Sequence, residues 1–465
     1  MSSGEITPGV NKPAKRESDM DQGAVDMRVT LINPPRFFET GPNLGLFYVA
    51  AVLEEAGHEV AVVDKPINTI VGETWETFNA VSKNTIEEVS RTKPDVIGMT
   101  ATCHTSYALE LLGVLKGILP ETRIVVGGPQ VTFTADDVLS DYPAVDFVVR
   151  GEGEYTMLKL VNALKGDLDP AGIDGLSYRR DGRVRSNPDS PFIGNLDELP
   201  YPARHLVNLT EYPEESRITL ISSRGCPHHC VFCVSPKLWR GYRPRSVDGV
   251  LEEFVYLVKE YSPRRVNFVD DTFAVGRDRT IALCRGIKEK GEGVPWSAMT
   301  RVGLGRELLE QMYTSGCRLL YFGCESGDDS TLKIVTKGIT TNQIHSTVKT
   351  GLEIGLEIEC SFVLNLPFET AERARTTISF AKKLKAMGAK IQAHMLFTYP
   401  GTEVYTHMGK YNLTLKHKGK ELWKLASHPL YIEDRPPTPL VSNNLISEEE
   451  LTKLWSEVAS VFDYY

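Results

Sequence analysis

The sequence predicts an α/β protein of two successive domains, a doubly wound parallel sheet followed by a partial (β/α)6 barrel. Three observations predict it. Short apolar runs alternate with stretches of helical periodicity from residue 27 to beyond residue 390. A proline-containing break around residues 197–204 divides that alternation into two sets. The chain has 465 residues, more than the roughly 250–300 at which a single core stops growing. The expected boundaries are a disordered tail at 1–26, the first domain at 27–170, an extended linker at 171–214, the barrel at 215–405 and a C-terminal cap at 406–465.

Residues 27–32 form an apolar run closed by Asn33, Pro34 and Pro35, which reads as a buried strand meeting a turn. Leu46, Val49, Val52, Leu53 and Ala56 then recur at helical spacing, and Gly57 is placed to end that helix. Further strands are expected at 59–63, 95–100, 123–126 and 146–149, with a helix at 107–119. Ligands of doubly wound sheets sit beyond the carboxyl ends of the strands. Here those ends fall at Asn33, Thr100, Gly127 and Arg150.

The second set of strands reads at 217–222, 265–269, 296–300, 318–322, 359–364 and 391–397. Helices between them are expected at 247–260, 279–290, 305–314, 329–336, 342–354 and 371–387, and Thr340 with Gln343 has the form of a capping box. Six β/α units imply a partial barrel, whose chemistry belongs at the strand carboxyl ends. Those ends carry a cysteine loop, Asp270 and Asp271, Arg301, Glu325 and Ser326, and the stretch NLPFET at 365–370.

Composition narrows the partners. Hydrophobic content of 41% and charged content of 24% describe an ordinary globular chain. A net charge of −9 leaves no electrostatic footprint for nucleic acid. No apolar run approaches the ~20 residues that span a bilayer, and the first 26 residues lack the apolar core of a signal peptide. A cytoplasmic location is expected, with peripheral membrane contact left open.

The sharpest signal is RGCPHHCVFC at 224–233, which sets Cys226, Cys230 and Cys233 in a C-x3-C-x2-C spacing. Three thiolates at this spacing suit three irons of a [4Fe–4S] cube and leave the fourth iron open. A structural zinc site is the alternative, with His228 or His229 as fourth ligand, but it ordinarily draws on a second distant pair of ligands. Eight cysteines in the whole chain do not make a disulfide framework. Cys103, Cys284, Cys317, Cys324 and Cys360 lack ligand spacing and read as core residues, with Cys324 beside Glu325 the one reservation.

This spacing resembles the signature of radical S-adenosylmethionine (SAM) enzymes. The strings PNLGL at 42–46, EAGHEV at 55–60, VGGPQ at 126–130 and RGEGE at 150–154 are similar to the Rossmann-like cobalamin-binding domain that precedes many radical SAM barrels. The resemblance implies a [4Fe–4S] cluster on the three cysteines, with SAM chelating the open iron. It implies SAM contacts from Phe232, Asp270, Asp271, Arg301, Glu325 and Ser326, and cobalamin contacts from Pro35, Thr100, Gly127, Gly128, Gln130 and Glu152. No catalytic residue is assigned beyond the cluster ligands.

Two departures qualify it. The D-x-H-x-x-G string whose histidine ligates cobalt is absent, and Gln130 stands where relatives frequently carry histidine. In the fifth strand-end loop Asn365 and Phe368 replace two glycines, which is expected to narrow the space near adenine or substrate.

The activity implied is reductive cleavage of SAM to a 5′-deoxyadenosyl radical, then cobalamin-dependent methylation of an unactivated carbon. The substrate is expected to be a small molecule, lipid or natural product, and the electron donor a flavodoxin or ferredoxin. A non-methylating rearrangement, cyclisation or bond formation is the enzymatic alternative. A non-catalytic cobalamin-binding protein is the alternative of another class. Transfer-RNA methylthiotransferases share the barrel, but their first domain supplies a further cysteine triplet, whereas this first domain has Cys103 alone.

Overall fold

The computed structural model describes residues 27–35, 41–64, 75–101, 106–166, 169–417, 440–459 and 461. The expected tail at 1–26, and His104 and Cys103, lie outside them.

The first sheet has seven strands: β1 (Arg28–Asn33), β2 (Glu59–Asp64), β3 (Val96–Thr100), β4 (Arg123–Gly127), β5 (Phe147–Val149), β6 (Leu176–Arg180) and β7 (Arg183–Ser186). They lie in the order β2-β1-β3-β4-β5-β6-β7. The first five are parallel. Side-chain alternation along each strand feeds two separate cores. Val29, Leu31, Val96 and Val125 pack with the helices Leu44–Glu55 and Glu154–Lys165. Ile32, Ile97, Ile124 and Val126 pack on the other face with Leu109, Leu112 and Leu115. Both faces are covered, as a doubly wound sheet requires.

The linker expectation needs correction at its start. Residues 176–186 form a hairpin, β6–β7, that adds two antiparallel strands to the sheet edge. Its turn is Asp181-Gly182, both at positive φ (52° and 72°), the backbone that a two-residue hairpin loop demands. The rest of the connector is packed, not free. Ile193, Leu196 and Leu199 bury against Leu44, Tyr48 and Val52 of the first helix.

The second sheet joins β8 (Thr219–Leu220), β11 (Val266–Phe268), β12 (Trp296–Thr300), β13 (Cys317–Glu325), β14 (Glu357–Leu364) and β15 (Lys390–Met395), all parallel. Its order is β15-β14-β13-β12-β11-β8, so the barrel stays open between its first and last strands. A short ladder pairs β9 (Ser223–Arg224) with β10 (Arg243–Pro244). The helices Val247–Tyr261, Arg277–Lys290, Arg306–Thr314, Thr341–Ile354 and Ala371–Ala386 cover the outside. Their apolar faces meet in a core around fully buried Trp296, whose Nε1 donates to the Ser315 carbonyl at 3.1 Å. The Thr340/Gln343 capping box is present.

The C-terminal part closes one end of the barrel. β16 (Leu413–Leu415) and β17 (Val441–Asn443) pair antiparallel and dock on the loop after β14. Asn365 Nδ2 donates to the Val441 carbonyl at 3.0 Å, and Asn443 Nδ2 donates to the carbonyls of Leu366 and Glu369 at 3.1 and 3.0 Å. The last helix, Glu448–Ala459, sends Leu451, Leu454, Trp455 and Val458 into the barrel core.

Candidate active site

The cysteine loop leaves the barrel at β9 and is held from several sides. Cys233 donates its backbone N–H to the Cys230 carbonyl at 3.0 Å, which closes the turn between two of the thiols. Val231 N–H donates to the Val335 carbonyl at 3.2 Å, and the Val231 carbonyl accepts from Val404 N–H at 3.1 Å. Thr336 Oγ1 donates to the His229 carbonyl at 2.7 Å. Cys230 is buried, and Cys226 and Cys233 are partly so.

Burial raises the Cys226 thiol above its ordinary value and pushes Cys233 up to about 12. Each of these thiols feels the charge of Cys230, and Cys233 that of Cys226, so the three converge. Among the described residues no three His, Cys, Asp or Glu side chains are placed to hold one ion. A cube makes a different demand: its thiolates bind three separate irons and stand farther apart than the ligands of a single metal. Three free thiols on one short, braced loop fit that demand.

The strand ends around this loop carry the residues singled out from the sequence, but several are spent internally. Asp270 is buried and accepts from Ser222 N–H at 3.1 Å, Ser222 Oγ at 2.8 Å and Ser223 Oγ at 2.5 Å. These bonds brace the root of the cysteine loop. Asp271 accepts from Gly225 N–H at 3.1 Å, and desolvation raises its pKa above the ordinary carboxylate value. Ser326 is fully buried, with its hydroxyl on Thr377 Oγ1 at 3.0 Å and Asp328 N at 3.1 Å.

Other candidates remain turned toward the loop. Glu325 ends β13 at a φ of 65° and accepts from Lys337 Nζ at 2.7 Å in a buried pair. Burial opposes the Lys337 charge, but Glu325 outweighs it and holds the ammonium above its ordinary value. His228 is held below its ordinary value by burial and then by the cations Arg301 and Lys337, which places both beside the cysteine loop. Lys337 was not picked out from the sequence, and only its proximity in space reveals it. Phe232 is partly buried and packs on the small core of Val335, Leu366 and Leu396.

The narrowing expected from Asn365 and Phe368 also needs correction. Asn365 is fully buried and turned to β17, and Phe368 is exposed. Both take positive φ, 68° and 55°. The loop keeps the backbone shape that glycines would supply, and neither side chain is packed as an inward wedge.

A cavity of about 380 Å³ lies between the domains. The first domain supplies Gly98, Met99, Thr100, Gly127, Gly128 and the turn Gly151–Glu154, and the barrel supplies Ile221, Arg224, Trp239, Val269 and Asp271. It therefore sits where the carboxyl ends of both sheets face each other. A Cβ on Gly127 would meet nothing closer than 3.6 Å, which leaves a flat floor for a broad ligand. Gly128 has a different reason to be glycine: its φ is 110°, and a Cβ would come within 2.7 Å of the Ala101 carbonyl.

Of the expected cobalamin contacts, Thr100, Gly127, Gly128 and Glu152 line this cavity, while Pro35 and Gln130 are buried outside its wall. Glu152 is also engaged by Arg224, Arg243 and the Ile193 N–H. Tyr48, Gly98 and Trp239 were missed. Gly98 carried a signal, because an isolated glycine within a strand marks a close approach.

A Rossmann-like sheet and a partial barrel, with a three-thiol loop and a glycine-floored cavity between them, define a radical SAM enzyme that binds cobalamin. Comparison with known proteins agrees. The B12 binding domain family matches residues 36–161 and the Radical SAM superfamily matches residues 220–381. An uncharacterized methyltransferase of Pyrococcus horikoshii is 37% identical over 404 residues, covering 84% of each chain. The anaerobic magnesium-protoporphyrin IX monomethyl ester cyclase of Rubrivivax gelatinosus is 29% identical, covering 77% of this chain and 66% of that one. The radical SAM methyltransferase TsrM of Kitasatospora setae, solved with cobalamin and a [4Fe–4S] cluster, superposes with a TM-score of 0.73 at 17% identity, over 93% of this chain and 91% of that one. The chain belongs to the cobalamin-binding radical SAM enzymes.

Proposed function

We propose that this enzyme methylates an unactivated carbon of a small-molecule, lipid or natural-product substrate. When bound, the cluster, SAM and cobalamin supply radical generation and the methyl group. The chain's own residues do the positioning. Cys226, Cys230 and Cys233 hold the cluster at the barrel mouth. Arg301 and the Glu325–Lys337 pair stand beside it and are suited to the carboxylate and ammonium of SAM, through charge-assisted hydrogen bonds. Phe232, next to Cys233, is assigned to the adenine side. Thr100, Gly127 and Gly128 form the floor for the corrin. Walls drawn from two domains limit the water that reaches the reacting centre.

The observation that carries the reading is the shared cavity, whose opposite walls come from the two cofactor-binding domains. The methyltransferase relative at 37% identity supports the methyl half. The cyclase relative supports radical chemistry without methyl transfer as the second reading. Product stoichiometry separates them. The protein is reconstituted anaerobically with iron, sulfide and hydroxocobalamin, reduced, and given SAM with a small-molecule extract. S-adenosylhomocysteine accumulating together with 5′-deoxyadenosine is the expected result, and 5′-deoxyadenosine alone would overturn methylation.

A further inference from the structure

The structure contains a buried ionic latch whose two ends belong to the two cofactor sites. Arg224 lies two residues before Cys226 on β9. Its Nη1 donates to Glu152 Oε1 and its Nη2 to Glu154 Oε1, both at 2.5 Å. All three side chains are at least nine-tenths buried. The guanidinium also lies over the rings of Tyr48, at 5.3 Å, and Trp239, at 5.6 Å. Arg243, the β-ladder neighbour of Arg224, doubles the hold by donating to both oxygens of Glu152 at 2.9 and 3.0 Å.

The location carries the argument. Glu152, Glu154, Tyr48, Arg224 and Trp239 all line the cavity between the domains. Glu152 and Glu154 follow β5 in the cobalamin-binding domain, whereas Arg224 leads directly into the cluster loop. Beyond it, Gly225 N–H is tied to Asp271, so the short segment before Cys226 is fixed at both ends. A planar fork that grips two carboxylates at once sets distance and angle together, and an ammonium cannot do this.

We propose that Arg224 is a positioning residue that sets the spacing and tilt between the corrin and the iron–sulfur cluster. The proposal requires both cofactors but does not depend on methyl transfer, so failure of the methylation reading leaves it standing.

The test uses holoenzyme loaded with cob(II)alamin and reduced cluster, in the wild type and in Arg224→Lys and Arg224→Gln. Iron and corrinoid contents are measured first, and the magnetic interaction between the two paramagnets is then read by pulsed electron paramagnetic resonance. The expected result is wild-type cofactor content in at least the lysine variant, with a dipolar spectrum that is shifted and broadened. A lysine-variant spectrum that superposes on the wild type would overturn the proposal. Loss of cluster or cobalamin from both variants would overturn it as well, because Arg224 would then maintain the fold and not the spacing.

Discussion

Gly225→Ala is the substitution that most directly tests how the backbone makes the cluster site. Gly225 has a φ of 84°, and a Cβ there would overlap the Gly241 carbonyl oxygen and lie 2.9 Å from Trp239 Cβ. The left-handed backbone alone costs about 1–2 kcal/mol for a residue with a Cβ. The Gly241 obstacle is backbone and cannot swing aside, so the loop must shift. That shift breaks the Gly225 N–H bond to the Asp271 carboxylate, and a hydrogen bond to a charged group is worth a further ~1–3 kcal/mol. The two terms sum to about 2–5 kcal/mol, and each 1.4 kcal/mol is a factor of ten in population. The cluster-competent loop should therefore become scarcer by roughly 30-fold or more.

Gly293→Ala is the matched control. Gly293 also has positive φ, 73°, but a Cβ there meets nothing within 4 Å. Iron and acid-labile sulfide are measured after anaerobic reconstitution, with unfolding followed alongside. Gly225→Ala should retain little iron, and Gly293→Ala should retain the full complement while losing only about 1–2 kcal/mol of stability. A Gly225→Ala protein with a full cluster, or equal iron loss in the control, would refute the reasoning.

Two further predictions concern buried charge. Glu253 is fully buried and accepts from Arg204 at 3.0 Å and Arg245 at 2.5 Å. Glu253→Ala removes the buried carboxylate shared by two arginines, leaving Arg204 on the Thr219 carbonyl and Arg245 on Asp197. It should cost about 3–5 kcal/mol, lowering the calorimetric Tm by on the order of 10 °C; a loss near zero would show that these remaining partners suffice. Glu369 is fully buried, and burial pushes it up to about 8 from an ordinary 4.5. Because the folded state holds the proton more tightly, this stabilisation is complete below pH 4.5 and is lost as pH rises through about 8. Glu369→Gln should flatten denaturant-measured stability between about pH 6 and pH 8, where the wild type declines by about 1.4 kcal/mol per pH unit. Parallel pH profiles in the two proteins would sink that account.

Local pattern made much of this architecture legible. The strand Trp296–Thr300 and the helix starting at Val247 were placed to the residue, because apolar periodicity and capping act over a few neighbours. The β6–β7 hairpin was missed although Asp181-Gly182 announced it. Arg179, Arg180, Arg183 and Arg185 put charge through the flanking runs and interrupt the apolar alternation that marks a strand. Arg179 is used at that edge to donate to the carbonyls of Leu139, Pro143 and Val145. At the site, residue type at a strand end was readable but direction was not. Asp270 and Asp271 are sequence neighbours with the same chemistry. One is spent on serine hydroxyls below the loop, and the other lines the cavity.

Long-range partnership was the least legible layer, and it shapes the cavity's electrostatics. Glu152 and Glu154 are separated from Arg224 by about seventy residues, so no local rule pairs them. In space, Glu152, Glu154, Arg224 and Arg243 carry two negative and two positive charges and cancel within hydrogen-bond distance. Asp271 is the remaining carboxylate in the wall, with its pKa raised above the ordinary value by desolvation. A chain with net charge −9 thus places little of that charge, the Asp271 carboxylate, around the space between its cofactors. Charges paired off in this way present few unsatisfied polar groups to solvent, and exclusion of water is what a site for reactive radical chemistry needs from its protein.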